Sequence, residues 1–217
     1  MATYPLAFLD TFPGTTTRFE LVHMQEVSPT RGGTSVAVDT GPALWEADYE
    51  SKPLSASEFR KWKSQMALLD GSVNTFYGYD LRGCFPIEYP GGRAGWDGTT
   101  GVTLTAASVA NSTLTFGGLP VSPAPRYQIR AGDYAAFTDE TGRRQLYQFT
   151  VDALVTAGGS SGAREVRPRV RPVTVASVTD IKFYRAAAIM AVVPGSMSQE
   201  APFNGRGRIA FTARQVL

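Results

Sequence analysis

Residues 44–80 read LWEADYESKPLSASEFRKWKSQMALLDGSVNTFYGYD, a stretch that specifies a strand, a helix and a second strand in turn. Trp45, Ala47 and Tyr49 alternate with Glu46, Asp48 and Glu50, the period of a strand with one buried and one solvated face. Pro53 stops that strand. Ser55 and Glu58 then have the spacing of a capping box, in which each side chain satisfies a backbone N–H at a helix start. Leu54 and Phe59 stand at the two positions of a hydrophobic staple. Phe59, Trp62, Met66 and Leu69 recur at spacings of three and four and lay one apolar stripe along a helix over 55–70. Arg60, Lys61 and Lys63 cover its other side, and Gly71 supplies the stop. Cap, staple, stripe and stop agree on one helix docked against a sheet.

Outside this unit the chain reads as β. At 217 residues it is long enough to bury roughly 70 % of its unfolded surface. Charged residues make up 18 %, below the roughly 25 % usual for soluble domains, as expected of a surface partly covered by neighbours. The 22 glycines and 14 prolines suit short strands and many turns. Val73–Tyr79 reads as an aromatic strand, and Gly91, Gly92 and Gly95 mark a break. From Val102 onward come strands at Val102–Leu104, Leu114–Phe116, Tyr134–Phe137, Leu146–Val151, Val166–Val170 and Ile181–Tyr184. Asp139–Gly142 has the composition of a hairpin turn, and Gly158–Gly162 that of a flexible hairpin loop. So many strands without a helix predict a small barrel. Ala191–Val193 and Ile209, Phe211 and Ala213 return to the style of the strand at Trp45. The expected organisation is therefore a β-sandwich-like first domain, residues 1–90 and 186–217, carrying the helix, with a small β-barrel, residues 91–185, inserted into it.

The net charge of +2 gives no electrostatic case for a nucleic-acid binder. Its distribution is uneven. Residues 1–90 carry 7 Lys and Arg against 11 Asp and Glu, and residues 91–185 carry 11 against 7, an opposition suited to steering subunits together. Cys84 is the only cysteine, which excludes an internal disulfide and a thiolate zinc site and reads as a small core residue. MATYPLAFLD lacks a basic n-region and a long apolar run, so no secretory signal is expected, and no stretch approaches the ~20 apolar residues of a membrane span.

Few motifs suggest chemistry. Asp39-Thr40-Gly41 after Val36-Ala37-Val38 is the triplet of an aspartic protease loop, but that reaction needs two carboxylates sharing a proton, hence a homodimer here. The same triplet makes a good strand-ending turn. His23, the only histidine, excludes His-pair metal sites and reads as an ordinary strand residue. Asn111-Ser112-Thr113 has the form of a glycosylation acceptor. Arg167, Arg169 and Arg171 recur with period two opposite Val166, Pro168 and Val170, a row that suits phosphates, the carboxylates of a neighbouring subunit or a plain solvated strand face; Pro168 and Pro172 predict a sheet edge or bulge, suited to a contact between subunits. No cofactor or metal is expected, and no catalytic set is visible.

Two segments, Leu44–Asp80 and RAGDYAAFTDETGRRQLYQFTVDALVTAGGSSGAREVRPRVRP at 130–172, resemble the distal tail proteins of long-tailed bacteriophages. The resemblance places Trp45, Tyr49, Pro53, Leu54, Ser55, Glu58, Phe59, Trp62 and Gly71 in a ring-forming domain, and Ala131–Tyr134, Gln145–Val151 and the arginine-proline strand in an appended barrel. It implies a structural protein at the virion tail tip, made in the host cytoplasm. It further implies a ring, usually hexameric, that caps the tail tube, joins the baseplate hub and receptor-binding proteins, and lets DNA pass through its lumen without sequence recognition. A carbohydrate-binding or receptor-binding β module is the alternative expectation, with Trp96 or Tyr127 stacking on a sugar; a homodimeric aspartic protease at Asp39 is the remote one.

Overall fold

Ser55 caps the helix as its spacing requires. The computed structural model describes residues 3–29, 32–33, 35–122, 124–200 and 206–217. In it the Ser55 N–H donates to Glu58 Oε2 at 2.9 Å and the Glu58 N–H donates to Ser55 Oγ at 3.4 Å. The helix itself is α1 (Ala56–Ala67).

Before α1 come β1 (Gly14–Val22), β2 (Gln25–Pro29), β3 (Ser35–Asp39) and β4 (Leu44–Ser51), and after it β5 (Phe76–Gly78). A second group follows: β6 (Thr103–Ser108), β7 (Thr113–Gly117), β8 (Gln128–Ile129), β9 (Tyr134–Thr138), β10 (Arg144–Phe149), β11 (Ala153–Leu154), β12 (Arg164–Arg167) and β13 (Thr179–Lys182). Then come β14 (Ala188–Val192), β15 (Ser198–Glu200) and β16 (Arg208–Gln215). The protein is thus mainly β with one α-helix among the described residues.

The first sheet runs β1-β4-β16-β14-β5, with β15 also on β16, all antiparallel. β4 alternates buried and half-buried residues along its length, as its sequence predicts. The helix covers the apolar face through Trp62 and Met66, joined by Leu69 from the turn beyond it, all buried. Phe12 meets Trp62 edge-on with ring centroids 5.3 Å apart, and Phe8 packs on Phe76 at 5.0 Å. Leu54 is buried and bridges to Gly207, where a Cβ would collide with the Phe59 ring. The staple pair therefore also fixes the start of β16.

Three local expectations need correction. The helix ends at Ala67, not residue 70, because Asp70 and Gly71 both adopt left-handed backbone (φ 47° and 68°); Gly71 is the second residue of a turn beyond the helix. Asn74 then satisfies the trailing carbonyls, its N–H donating to Leu69 O at 3.0 Å and its side chain to Leu68 O at 2.9 Å. That turn shortens the predicted strand 73–79 to Phe76–Gly78 and leaves Val73 exposed. Gly158–Gly162 is not a flexible hairpin loop: β11 pairs with β8, and β12 with β10 and β7. The segment between them is held by the Leu119 N–H to Gly159 O bond, 3.0 Å, and by buried Ser161, whose Oγ accepts the Phe116 N–H at 2.9 Å.

The second sheet, β13-β9-β10-β12-β7-β6, is nearly closed into a barrel. Asp139 makes the β9–β10 turn, accepting from the N–H groups of Thr141 and Arg143 at 2.9 Å each and from the Gln145 amide at 2.8 Å. The β9–β10 hairpin serves two cores. Ala135, Phe137, Tyr147 and Phe149 face the barrel interior, while Ala136 and Leu146 pack into the core of the first sheet. This double burial explains the run of apolar residues Tyr134–Phe137 in β9, while in β10 buried Arg144 and Gln145 are held by hydrogen bonds. Buried Arg144 ties the same hairpin to the returning chain, its guanidinium bonding Asp180, Thr138 and the Ala187 carbonyl; burial pulls its pKa below the usual arginine value. The whole barrel lies in sequence between β5 and β14, which are neighbours in the first sheet with Gly78 opposite Ala188.

Candidate functional site

β12 lies inside its sheet, between β10 and β7, and ends at Arg167. The expected edge position is therefore wrong, since Pro168 and Pro172 fall beyond the strand end, where no ladder needs their missing N–H groups. The alternation of faces survives. Val166, Pro168 and Val170 are buried, Arg167 and Arg169 are exposed, and Arg171 is half-buried. Two hydroxyls hold this bent segment in place. Buried Ser112, the middle residue of the acceptor-like triplet, donates to Val166 O at 3.0 Å and accepts the Val170 N–H at 3.2 Å. The Tyr147 hydroxyl accepts the Arg171 N–H at 3.3 Å.

Between this segment and the foot of the β2–β3 ribbon opens a cleft of about 670 Å³. Arg167, Arg169 and Arg171 form one wall, His23, Gln25 and Asp39 the other, and Asn111 lies at one end. His23 stands exposed in the connection between β1 and β2, not within a strand. Asp39 closes β3, and its carboxylate accepts the Gln25 amide at 2.8 Å. Glu165 pairs with Arg167 at 2.6 Å. Arg169 and Arg171 make no ion pair among the described residues. The cleft thus gathers the arginine row, the single histidine and the Asp-Thr-Gly triplet, which the sequence placed far apart. No group of three His, Cys, Asp or Glu suited to a metal occurs among the described residues.

The ribbon itself is a two-stranded sheet, β2 with β3, whose ten residues are all exposed. Val27 and Val38 are 59 % and 58 % exposed, on opposite faces by their pairing with Ala37 and Glu26. The Thr40 N–H to Met24 O bond, 2.8 Å, pins its foot.

The acidic face of β4 is neutralised from both sides. Arg18 on β1 bonds Asp48 at 2.6 Å and also Glu46; Arg214 and Arg208 on β16 reach Glu46 at 2.8 Å and Glu50 at 2.9 Å. Hydrogen bonding to Asp48 raises the Arg18 pKa. Burial pushes the Asp48 carboxyl up, but bonds from Arg18 and Thr212 outweigh it and hold the group below the usual range. Trp45 and Tyr49, on the opposite face, are core residues: the Trp45 indole donates to Leu146 O and the Tyr49 hydroxyl to Tyr79 O, each at 3.0 Å. Cys84 is half-buried, with burial raising its thiol pKa.

A second concavity, about 410 Å³, is lined by Phe85, Tyr89, Arg93, Trp96 and Tyr184. Phe85 and Tyr184 pack with centroids 4.5 Å apart, and Arg93 lies over Tyr89 at 5.7 Å. Trp96 is held by its indole bond to Thr100 O at 3.2 Å. Tyr127 cannot act as a surface platform: it is completely buried behind this hollow, stacked on Tyr89 at 5.0 Å and edge-on to Trp96 at 4.7 Å. The sequence reading missed Phe85, Tyr89 and Tyr184 as a group because they come from segments nearly a hundred residues apart, at 85–96 and 184. No helix among the described residues is long and apolar enough to cross a membrane. Comparison with known proteins finds no family model that matches the chain and no match among the curated proteins.

Proposed function

We propose that this chain is a structural protein of a phage tail tip, of the distal tail class, whose mechanism is assembly into a ring and docking of neighbours. The observation that carries the reading is the solvated β2–β3 ribbon. A lone two-stranded ribbon has too little buried surface to be stable by itself, and this one displays valines on both faces. Covering it with an adjacent subunit removes that cost and generates a head-to-tail contact, which closes into a ring when the rotation allows. The mainly β fold with its docked helix and barrel-like sheet fits the resemblance carried by residues 44–80 and 130–172.

Under this reading the ring is hexameric, joins the tail tube to baseplate hub and receptor-binding proteins, passes DNA without sequence recognition, and performs no catalysis. It is made in the host cytoplasm and resides at the virion tail tip. Light scattering of the purified chain, followed by negative-stain imaging, tests it. A closed species near six subunits is expected, either alone or with tail-tube protein added; a monomer under both conditions overturns the reading.

The aromatic hollow at Phe85, Tyr89, Trp96 and Tyr184 favours a second reading, a carbohydrate-binding or receptor-binding module, because such rings stack on sugar faces. Saturable glycan binding that is lost in Trp96→Ala would support it.

A further inference from the structure

We propose that the cleft between the ribbon foot and residues 165–172 binds an extended acidic peptide segment of another protein. The carboxylates of the cleft are already engaged, Asp39 by Gln25 and Glu165 by Arg167. Arg169 and Arg171 have no such partner among the described residues, so the unspent capacity of the cleft is for oxyanions. Elsewhere Arg18, Arg144, Arg208 and Arg214 each meet a carboxylate, and Arg164 on β12 donates to the Ser161 carbonyl at 2.7 Å.

Geometry selects the form of the ligand. Arg169 and Arg171 lie two residues apart and flank buried Val170. Carboxylates at alternate positions of a peptide strand stand about 6.5–7 Å apart and offer one partner to each guanidinium group. The anchoring of the segment by Ser112 and Tyr147 means that little order has to be imposed on binding.

Chemistry selects a peptide over a nucleic acid. The cleft lining contains no Phe, Tyr or Trp ring, the broad platforms on which single-stranded bases stack. Asp39 and Glu165 stand in the same cleft and oppose an unbroken row of phosphates, whereas a peptide bears its charges at intervals. The proposal does not rest on the ring assignment.

Fluorescence anisotropy of a labelled alternating Glu-Thr peptide, titrated with the full chain at low salt, tests it. Binding is expected for this peptide and not for its Gln-Thr counterpart. R169E/R171E is expected to weaken binding about tenfold or more, the worth of two solvent-facing ion pairs and their reversal. R169Q/R171Q weakens it less, and R60E, the same charge change on the exposed face of α1, leaves it intact. Circular dichroism confirms that each variant is folded. Equal binding of the Gln-Thr peptide, indifference to both double variants, or tighter binding of an oligodeoxythymidine through the same arginines overturns the proposal. Loss of self-association in R169E/R171E without any peptide binding also overturns it and makes a second copy the occupant.

Discussion

The Trp45 indole donates to the Leu146 carbonyl at 3.0 Å, and this single bond crosses from the first sheet to the barrel. Both residues are buried, with Phe19 stacked on Trp45 at 5.2 Å and Tyr134 edge-on at 5.7 Å. Trp45→Phe keeps a ring in the cluster but leaves the Leu146 carbonyl without its indole donor. We expect a loss of about 1–3 kcal/mol, the cost of an unsatisfied buried group, read as a lower urea midpoint at unchanged slope. A variant as stable as the parent would show that the bond does not hold the two layers together.

Ser55→Ala removes the acceptor for the Glu58 N–H at the start of α1. The expected cost is about 1 kcal/mol, measured by chemical denaturation. Glu58→Ala should cost less than a double variant, because the two side chains satisfy each other's backbone groups.

The ribbon valines separate assembly from folding. V27T/V36T/V38T keeps β-branched side chains on an exposed ribbon, so the stability of the isolated chain should change by no more than about 0.5 kcal/mol. The assembled mass by light scattering should fall. If the triple variant forms the same ring, the ribbon is not the seam.

Asp139 gives the chain an acid response of known sign. Burial raises its carboxyl pKa, but bonds from Thr141, Gln145 and Arg143 prevail and hold the folded value below the ordinary 3.8. The unfolded chain therefore takes up the proton first as pH falls. The stability that Asp139 contributes is complete above about pH 4 and is lost as pH drops through the folded value. Asp139→Asn should flatten the stability profile in that window, as measured by urea midpoints at pH 3 to 6; an unchanged slope would assign the acid response to other carboxylates such as Asp48.

What the sequence made legible was local. The cap at Ser55 and the alternation at Trp45 depend on neighbours within one turn or two residues, and both are present, while Leu54 and Phe59 join the same core. The acidic face of β4 was visible, but its neutralisation was not, since Arg18, Arg208 and Arg214 reach it across strand pairings of long sequence separation. Gly158–Gly162 was misread for a related reason. Glycine run composition signals a turn, yet whether the flanking strands pair is decided by the sheet, and here they pair elsewhere. Period two anticipated the alternation of burial from Val166 to Val170, while the interior position of β12 and its end at Arg167 depended on partners that no local pattern names.

β5 and β14 are antiparallel neighbours, so along the chain the barrel is the contents of one hairpin loop, with Gly78 and Ala188 facing each other across its base. The two ends of the excursion leave from a gap of about 5 Å, which a short turn would also span. Evolution can therefore exchange what hangs from this loop, as a tool is changed in a chuck, without altering the register of the sheet that holds it. A replacement would have to supply an apolar face in the place of Ala136 and Leu146 for Phe19 and Trp45, a carbonyl for the indole and a donor for the Ala187 carbonyl.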